Sequence, residues 1–167
     1  MLNEHKKTFY LSRKHWILLA LVVVVLDQIS KCFSLIYLSP QTALPVLPSF
    51  DLVLRYNTGA AFSFLADASG WQRWFFVALA IVASVIIFKW LGKLSPKEKL
   101  ESFALSLILG GALGNVMDRV TNGYVVDFIL LYYRHWQWPA FNLADSAICL
   151  GVFLLIPTVF RTTASSN

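Results

Sequence analysis

Residues 138–160 read WPAFNLADSAICLGVFLLIPTVF. An aromatic residue and a proline open a run apolar enough to cross a bilayer, yet Asp145 sits inside its first two turns. A carboxylate at a helix centre costs roughly 2.5–3.5 kcal/mol on insertion scales, and somewhat less nearer the interface. Asp145 therefore needs a reason, and the rest of the chain has to supply it.

Composition sets the class. The chain has 167 residues, of which 57% are hydrophobic and 14% charged, with a mean hydropathy of +0.64. A soluble domain of this size carries about 25% charge, so this is an integral membrane protein, read as one domain over residues 1–167. The net charge of +5 does not signal nucleic acid, because most basic residues flank apolar runs, where topology accounts for them. Cys32 and Cys149 fall inside predicted spans without metal-ligand spacing and read as apolar thiols.

Four segments suit the roughly 20 residues that a hydrocarbon core requires: Trp16–Leu38, Trp71–Leu91, Phe103–Val120 and Pro139–Phe160. Lys6, Lys7, Arg13 and Lys14 precede the first, as in a signal peptide. Its apolar run is too long for one, and no A-x-A-like site follows, so it reads as an uncleaved anchor. Lys89, Lys93, Lys97 and Lys99 cluster between the second and third spans. The N-terminal tail and this loop are thus expected on the cytoplasmic side, with Arg161 returning the C-terminus to it. The expected fold is a polytopic α-helical membrane protein with four transmembrane helices. Its outer connections, at about 39–70 and 121–138, would form a small extracytoplasmic β-rich region.

This orientation gathers the polar residues of the spans. Asp27, Lys31, Asn115, Asp118 and Arg119 fall from mid-membrane to the outer end of spans one and three. Asn142 and Asp145 fall in the outer part of span four. Asp145 lies about six residues past Pro139, on the order of 9 Å down a helix beginning there. Asp27 and Lys31 are four apart and can pair. Asn115, Asp118 and Arg119 are spaced to share a face, as are Asn142 and Asp145. Gly110, Gly111 and Gly114 permit another helix to come close. Helix-joining and functional readings stand equal for Asp27, Lys31, Asn115, Asp118, Arg119 and Asn142, and Asp27 with Lys31 is expected to hold the bundle. Asp145 has no adjacent cation in its own helix, so its partner must come from elsewhere.

The connections supply candidates. FDLVLRYNTG (50–59) alternates Phe50, Leu52, Leu54 and Tyr56 against Asp51, Val53 and Arg55, a period-two strand signal. NTGAAFSF (57–64) reads as a turn followed by small residues that let a backbone or ligand approach. In the second connection Asn122-Gly123 marks a turn, and the apolar strand-like run after it carries one acid, Asp127. Tyr132, Tyr133, Trp136 and Trp138 fit an interfacial aromatic belt. Asp127 and Asp145, from different elements, can meet beside the start of span four.

Five ordered blocks now stand out: DQISK (27–31), YNTGAAFSFL (56–65), GGALGNVMDR (110–119), VVDF (125–128) and FNLADS (141–146). Together they closely resemble the lipoprotein signal peptidases, the bacterial type II signal peptidases, which are membrane aspartyl proteases. The resemblance covers nearly the whole chain and implies that Asp127 and Asp145 are the catalytic pair. It places Asp27, Lys31, Asn57, Asn115, Arg119 and Asn142 at supporting polar positions, and Asp118 joins them as a substrate-binding or supporting residue. The implied substrate is a diacylglyceryl-modified prolipoprotein, cleaved just before the lipidated cysteine at the outer face of the cytoplasmic (inner) membrane. Membrane lipid is the other implied partner; no nucleic acid, metal or cofactor is expected, and a monomer is.

Two carboxylates suit peptide hydrolysis on chemical grounds alone. Close like charges prevent both from ionising, so one can activate water while the other, protonated, polarises the scissile carbonyl. Sequence does not assign these two roles. Other chemistries fit less well. His5, His15 and His135 are scattered and form no H-E-x-x-H zinc set. A dyad of Ser63 or Ser146 with Lys31 competes with the Asp27–Lys31 pair, and the G-x-G-D signature of another intramembrane protease class is absent. A small proton-coupled transporter is the alternative from a different class, since intramembrane acids suit one. The structured connections and the lack of an inverted repeat count against it.

Overall fold

The computed structural model describes residues 12–59 and 70–164. His5, Lys6, Lys7 and Ser63, and the AAFSFL portion of the second block, lie outside them. Among the described residues, four helices and four short strands follow in the order α1 (Arg13–Tyr37), β1 (Leu44–Leu47), β2 (Phe50–Asn57), α2 (Trp71–Leu91), α3 (Lys99–Thr121), β3 (Val125–Tyr133), β4 (Trp136–Gln137) and α4 (Leu143–Ala164). Among the described residues α1, α2 and α3 are each long and apolar enough to cross a membrane, and α4 is apolar over Leu143–Thr158. The architecture is the expected one of helices plus a small sheet.

Helix α3 occupies the centre because its sequence lets others approach. Its buried residues include Ser102, Ala104, Ser106, Gly110, Gly111 and Gly114, and small side chains allow close backbone contact where the hydrophobic effect gives helices no drive to associate. A Cβ on Gly110 would lie 2.6 Å from the Ala20 carbonyl oxygen of α1, and one on Gly111 would collide with the Ala144 carbonyl oxygen of α4. Gly151 on α4 answers in kind, its Cβ position being 2.7 Å from the Ala104 carbonyl oxygen. Val23, Leu107 and Ala147 form a buried cluster joining α1, α3 and α4, with Phe103 and Leu154 packed on it. The outward faces are apolar and exposed, as at Leu18, Val25, Ile86 and Phe153. That is the pattern of helices solvated by lipid.

The strands form one antiparallel sheet in the order β1-β2-β3-β4. Strand β2 does not keep the strict alternation expected of it. Its register against β3 shifts between Leu52 and Arg55, so Val53 and Leu54 are both buried while Tyr56 is exposed. A bulge of this kind turns successive side chains onto one face and bends the strand. Gly123, at φ +85°, makes the turn from α3 into β3.

The fourth helix starts later than the sequence reading placed it. Phe141 pairs with Ile129 of β3, exchanging N–H···O bonds of 3.0 and 2.8 Å, so the chain remains extended through Phe141. Helix α4 then begins at Leu143, not at Pro139, and Asp145 stands in its first turn rather than nearly two turns down.

Candidate active site

The site forms where β3, the start of α4 and the sheet-side end of α3 meet. Asn142 governs it. The Asp145 N–H donates to Asn142 Oδ1 at 2.9 Å, and the Asn142 N–H donates to Asp145 Oδ2 at 3.3 Å. This reciprocal pair is a capping box, which satisfies N–H groups that an α-helix cannot satisfy within itself. A carboxylate in a first turn also interacts favourably with the helix dipole. Part of the reason for Asp145 is therefore local: it closes the end of its own helix.

With its Oδ1 occupied, Asn142 turns its Nδ2 outward to Asp127 Oδ1, at 2.7 Å. Asn142 is fully buried and thus touches both acids. Asp127 Oδ2 accepts from Asn57 Nδ2 at 3.0 Å. Sheet register explains that contact: Arg55 opposes Asp127 and Asn57 opposes Val125, so Asn57 lies diagonally across from Asp127 on one face. The Gly59 N–H donates to Asn57 Oδ1 at 3.0 Å and fixes which way the amide points. Asp145 Oδ1 accepts from Asn115 Nδ2 at 2.8 Å.

Asp127 is 3% exposed, and its carboxyl is pushed up to about 7, first by burial and then by the charge of Asp145. The Asn57 and Asn142 amides and the Lys31 charge oppose that rise without cancelling it. A carboxyl of this kind changes protonation near neutrality, as general acid–base chemistry requires.

The three polar residues expected on one face of α3 divide among different neighbours. Asn115 faces Asp145. Arg119 donates from Nη2 to the Gly59 carbonyl at 2.8 Å, and its guanidinium lies 5.4 Å from the Phe76 ring centre. Asp118 turns the other way, toward α1, where it lies 2.8 Å from Lys31 Nζ. Asp27 and Lys31 are 2.8 Å apart, as their spacing allows. Gln28 escaped the sequence reading: its Nε2 donates to Asp118 Oδ1 at 2.9 Å and to Asp27 Oδ2 at 3.2 Å. An amide next to Asp27 in an apolar span is the available signal. Among the described residues no cluster of His, Cys, Asp or Glu suits a metal ion.

Two cavities adjoin the acids. One, of about 520 Å³, is bounded by Asp145, Asn115 and Arg119 and by apolar Val125, Leu131 and Ile148. The other, of about 390 Å³, is bounded by Asp127 with Arg55, Tyr56, Thr58 and Gln137. Asn57, Trp138, Pro139 and Ala140 border both. The two cavities thus adjoin along those four residues, with Asp145 in the wall of one and Asp127 in the wall of the other.

Comparison with known proteins agrees with these features. Residues 19–161 match the family described as Signal peptidase (SPase) II. A lipoprotein signal peptidase of Pseudoalteromonas atlantica is 48% identical over 149 residues, covering 89% of this chain and 91% of that one. The lipoprotein signal peptidase of Polynucleobacter necessarius is 54% identical over 146 residues, covering 87% and 89%. A bacterial membrane enzyme solved by the in meso method superposes with a TM-score of 0.80 at 31% identity, over 92% of each chain. A second solved in the same way gives 0.76 at 32% identity, over 94% of this chain and 97% of that one. By matched length, identity and fold alike, the chain belongs to the signal peptidase II family.

Proposed function

We propose that this protein removes the signal peptide from diacylglyceryl-modified prolipoproteins, and that Asp127 and Asp145 together activate the water that cleaves the chain before the lipidated cysteine. Family membership supports the endopeptidase activity on lipoprotein precursors. The observation that carries the assignment of the acids is the double role of Asn142. Its side chain holds Asp127 at 2.7 Å while its backbone N–H reaches Asp145 at 3.3 Å. Two carboxylates from different elements, β3 and α4, are thus fixed around one asparagine.

In this reading the pair holds one proton between its two groups, because close like charges in a buried site disfavour double ionisation. The ionised member takes a proton from water as the oxygen attacks the scissile carbonyl carbon. The protonated member donates to the carbonyl oxygen as negative charge develops there. The C–N bond then breaks, with the proton taken from water passing to the leaving nitrogen. Asn57 and Arg119, which border the first cavity beside the acids, are assigned to holding the substrate backbone. The apolar cavity is assigned to the lipid-bearing side of the substrate, which reaches it laterally from the bilayer.

The same reading places the protein as a monomer in the bacterial inner membrane. Both termini face the cytoplasm, and the sheet and the acids lie toward the outer face. The test is single-turnover cleavage of a lipidated prolipoprotein by Asp127→Asn, Asp145→Asn and the double variant, with folding and substrate binding measured separately. Each single variant is expected to lose at least roughly 10²–10⁴-fold in rate, and the double variant little more, since residues acting as one unit fail together. An Asp145→Asn protein that folds, binds and cleaves near the parent rate would overturn the assignment.

A further inference from the structure

One buried ammonium group connects the two acids through the bundle. Lys31 Nζ lies 2.8 Å from Asp27 Oδ2 and 2.8 Å from Asp118 Oδ2, and donates to Asn115 Oδ1 at 3.0 Å. These contacts use all three of its protons. Neither carboxylate stops at the lysine. Asp27 Oδ1 accepts from the backbone N–H of Ala144 at 2.9 Å, and Asp118 Oδ2 accepts from that of Val126 at 3.3 Å. Ala144 and Val126 are the residues immediately before Asp145 and Asp127. Gln28 Nε2, donating to both carboxylates, braces them against each other.

We propose that Asp27, Lys31 and Asp118 form a positioning clamp that sets the separation of Asp127 and Asp145. Each carboxylate holds the backbone amide just before one acid, and Lys31 fixes the gap between the two carboxylates. Its remaining proton orients the Asn115 amide so that Nδ2 faces Asp145. The proposal rests on the assignment of Asp127 and Asp145 as the catalytic pair.

A role in stability alone accounts poorly for this arrangement. Asp27 and Lys31 are 0% and 2% exposed and Asp118 is 2% exposed, and buried ionic clusters of this kind can often be replaced by apolar side chains without loss of stability. Stability also gives no reason for both carboxylates to end on the amides that precede the two acids. Positioning does. Displacing a reacting group by about 1 Å can cost on the order of 10²-fold in rate.

The experiment uses the full chain in detergent with a lipidated prolipoprotein, comparing Lys31→Met, Asp118→Asn and the double variant Lys31→Met/Asp118→Asn. The double variant keeps the net charge of the cluster, since one cation and one anion are removed together, and so tests the clamp even if Lys31→Met alone fails to fold. Expected for the folded variants are substrate affinity within about threefold of the parent and a single-turnover rate lower by roughly 10²-fold. The double variant should be no slower than Lys31→Met, because both changes open one clamp. Backbone amide exchange at Val126 and Ala144 should accelerate, a change that a general loss of bundle stability would not confine to those two positions.

Asp145→Asn in the same assay separates the two ideas. If it is inactive while folded Lys31→Met cleaves near the parent rate, the clamp fails and the catalytic assignment stands. If Asp145→Asn is active, the assignment itself fails. Loss confined to substrate binding, additive effects of the two substitutions, or failure of both Lys31→Met proteins to fold would each overturn the clamp in favour of another role.

Discussion

Asp127 is held by two amides, and both of its oxygens accept. Those donors stabilise its ionised form, while burial and the neighbouring acid oppose it more strongly and leave the carboxyl near 7. The direction has a consequence for stability. Between the ordinary value of 3.8 and about 7 the folded protein retains a proton that the unfolded chain releases. The stabilisation from this group is therefore complete below the ordinary value and is lost as pH rises toward 7. Thermal unfolding of the parent should show a midpoint that falls from pH 5 to pH 8, and Asp127→Asn should flatten that slope. The same variant must turn an N–H₂ toward Asn57 or Asn142, which places donor against donor. At pH 5 it should be less stable than the parent by about 1–3 kcal/mol, the usual penalty for an unsatisfied buried polar group. On the proposed assignment, cleavage by the parent should decline as pH rises through about 7, when Asp127 loses its proton; a rate unchanged from pH 6 to pH 9 would contradict this.

At the scale of elements, the junction of α3 with α4 controls where Asp145 stands. A methyl group at Gly111 would strike the Ala144 carbonyl oxygen, and one at Gly114 would come within 2.6 Å of Asp27 Oδ2. Backbone cannot rotate away as a flexible side chain can. Gly111→Ala should push the first turn of α4 outward, destabilise the protein by about 1–3 kcal/mol and slow cleavage more than it weakens substrate binding. A control at Gly92 meets only the end of the Arg13 side chain, at 3.1 Å, and should keep parent activity when changed to Ala. Melting temperatures and single-turnover rates of the two variants check the contrast.

Sequence legibility differs among these elements for physical reasons. The apolar run Trp71–Leu91 coincides with α2 because nothing but lipid and one helix face defines it. Helix α3 starts at Lys99, four residues before the apolar run, because hydropathy senses the bilayer while backbone hydrogen bonding continues past it. The start of α4 was hidden because a non-local pairing of Phe141 with Ile129 holds the chain extended. The acids and asparagines were visible as costly residues in apolar surroundings. Their partners were less so: three-and-four spacing groups Asp118 with Asn115, whereas the arrival of Lys31 from α1 draws Asp118 away.

The whole molecule arranges its helices so that the sheet and both cavities gather at one end of the bundle. In the proposed orientation that end faces outward, while the lysine-rich connection after α2 faces the cytoplasm. Cysteine labelling checks this in a variant whose exposed Cys32 and Cys149 have been replaced. A membrane-impermeant reagent applied from outside should label a cysteine at position 51 and leave one at position 97 untouched. The reverse pattern would invert the molecule and, with it, the side from which substrate arrives.

The contacts that complete the site also set when it can exist during biogenesis. Asp27 meets Ala144 across 117 positions of sequence, Lys31 meets Asn115 across 84, and Asn57 meets Asp127 across 70. Pairings of such long range must wait for the chain between them to be made and inserted, and they close late in folding. Asp145, the second acid of the proposed pair, belongs to α4, which follows α1, α2, α3 and β3 along the chain. On the proposed assignment, a chain whose α4 has not yet docked holds Asp127 without Asp145, so cleavage is expected only once those two elements have met.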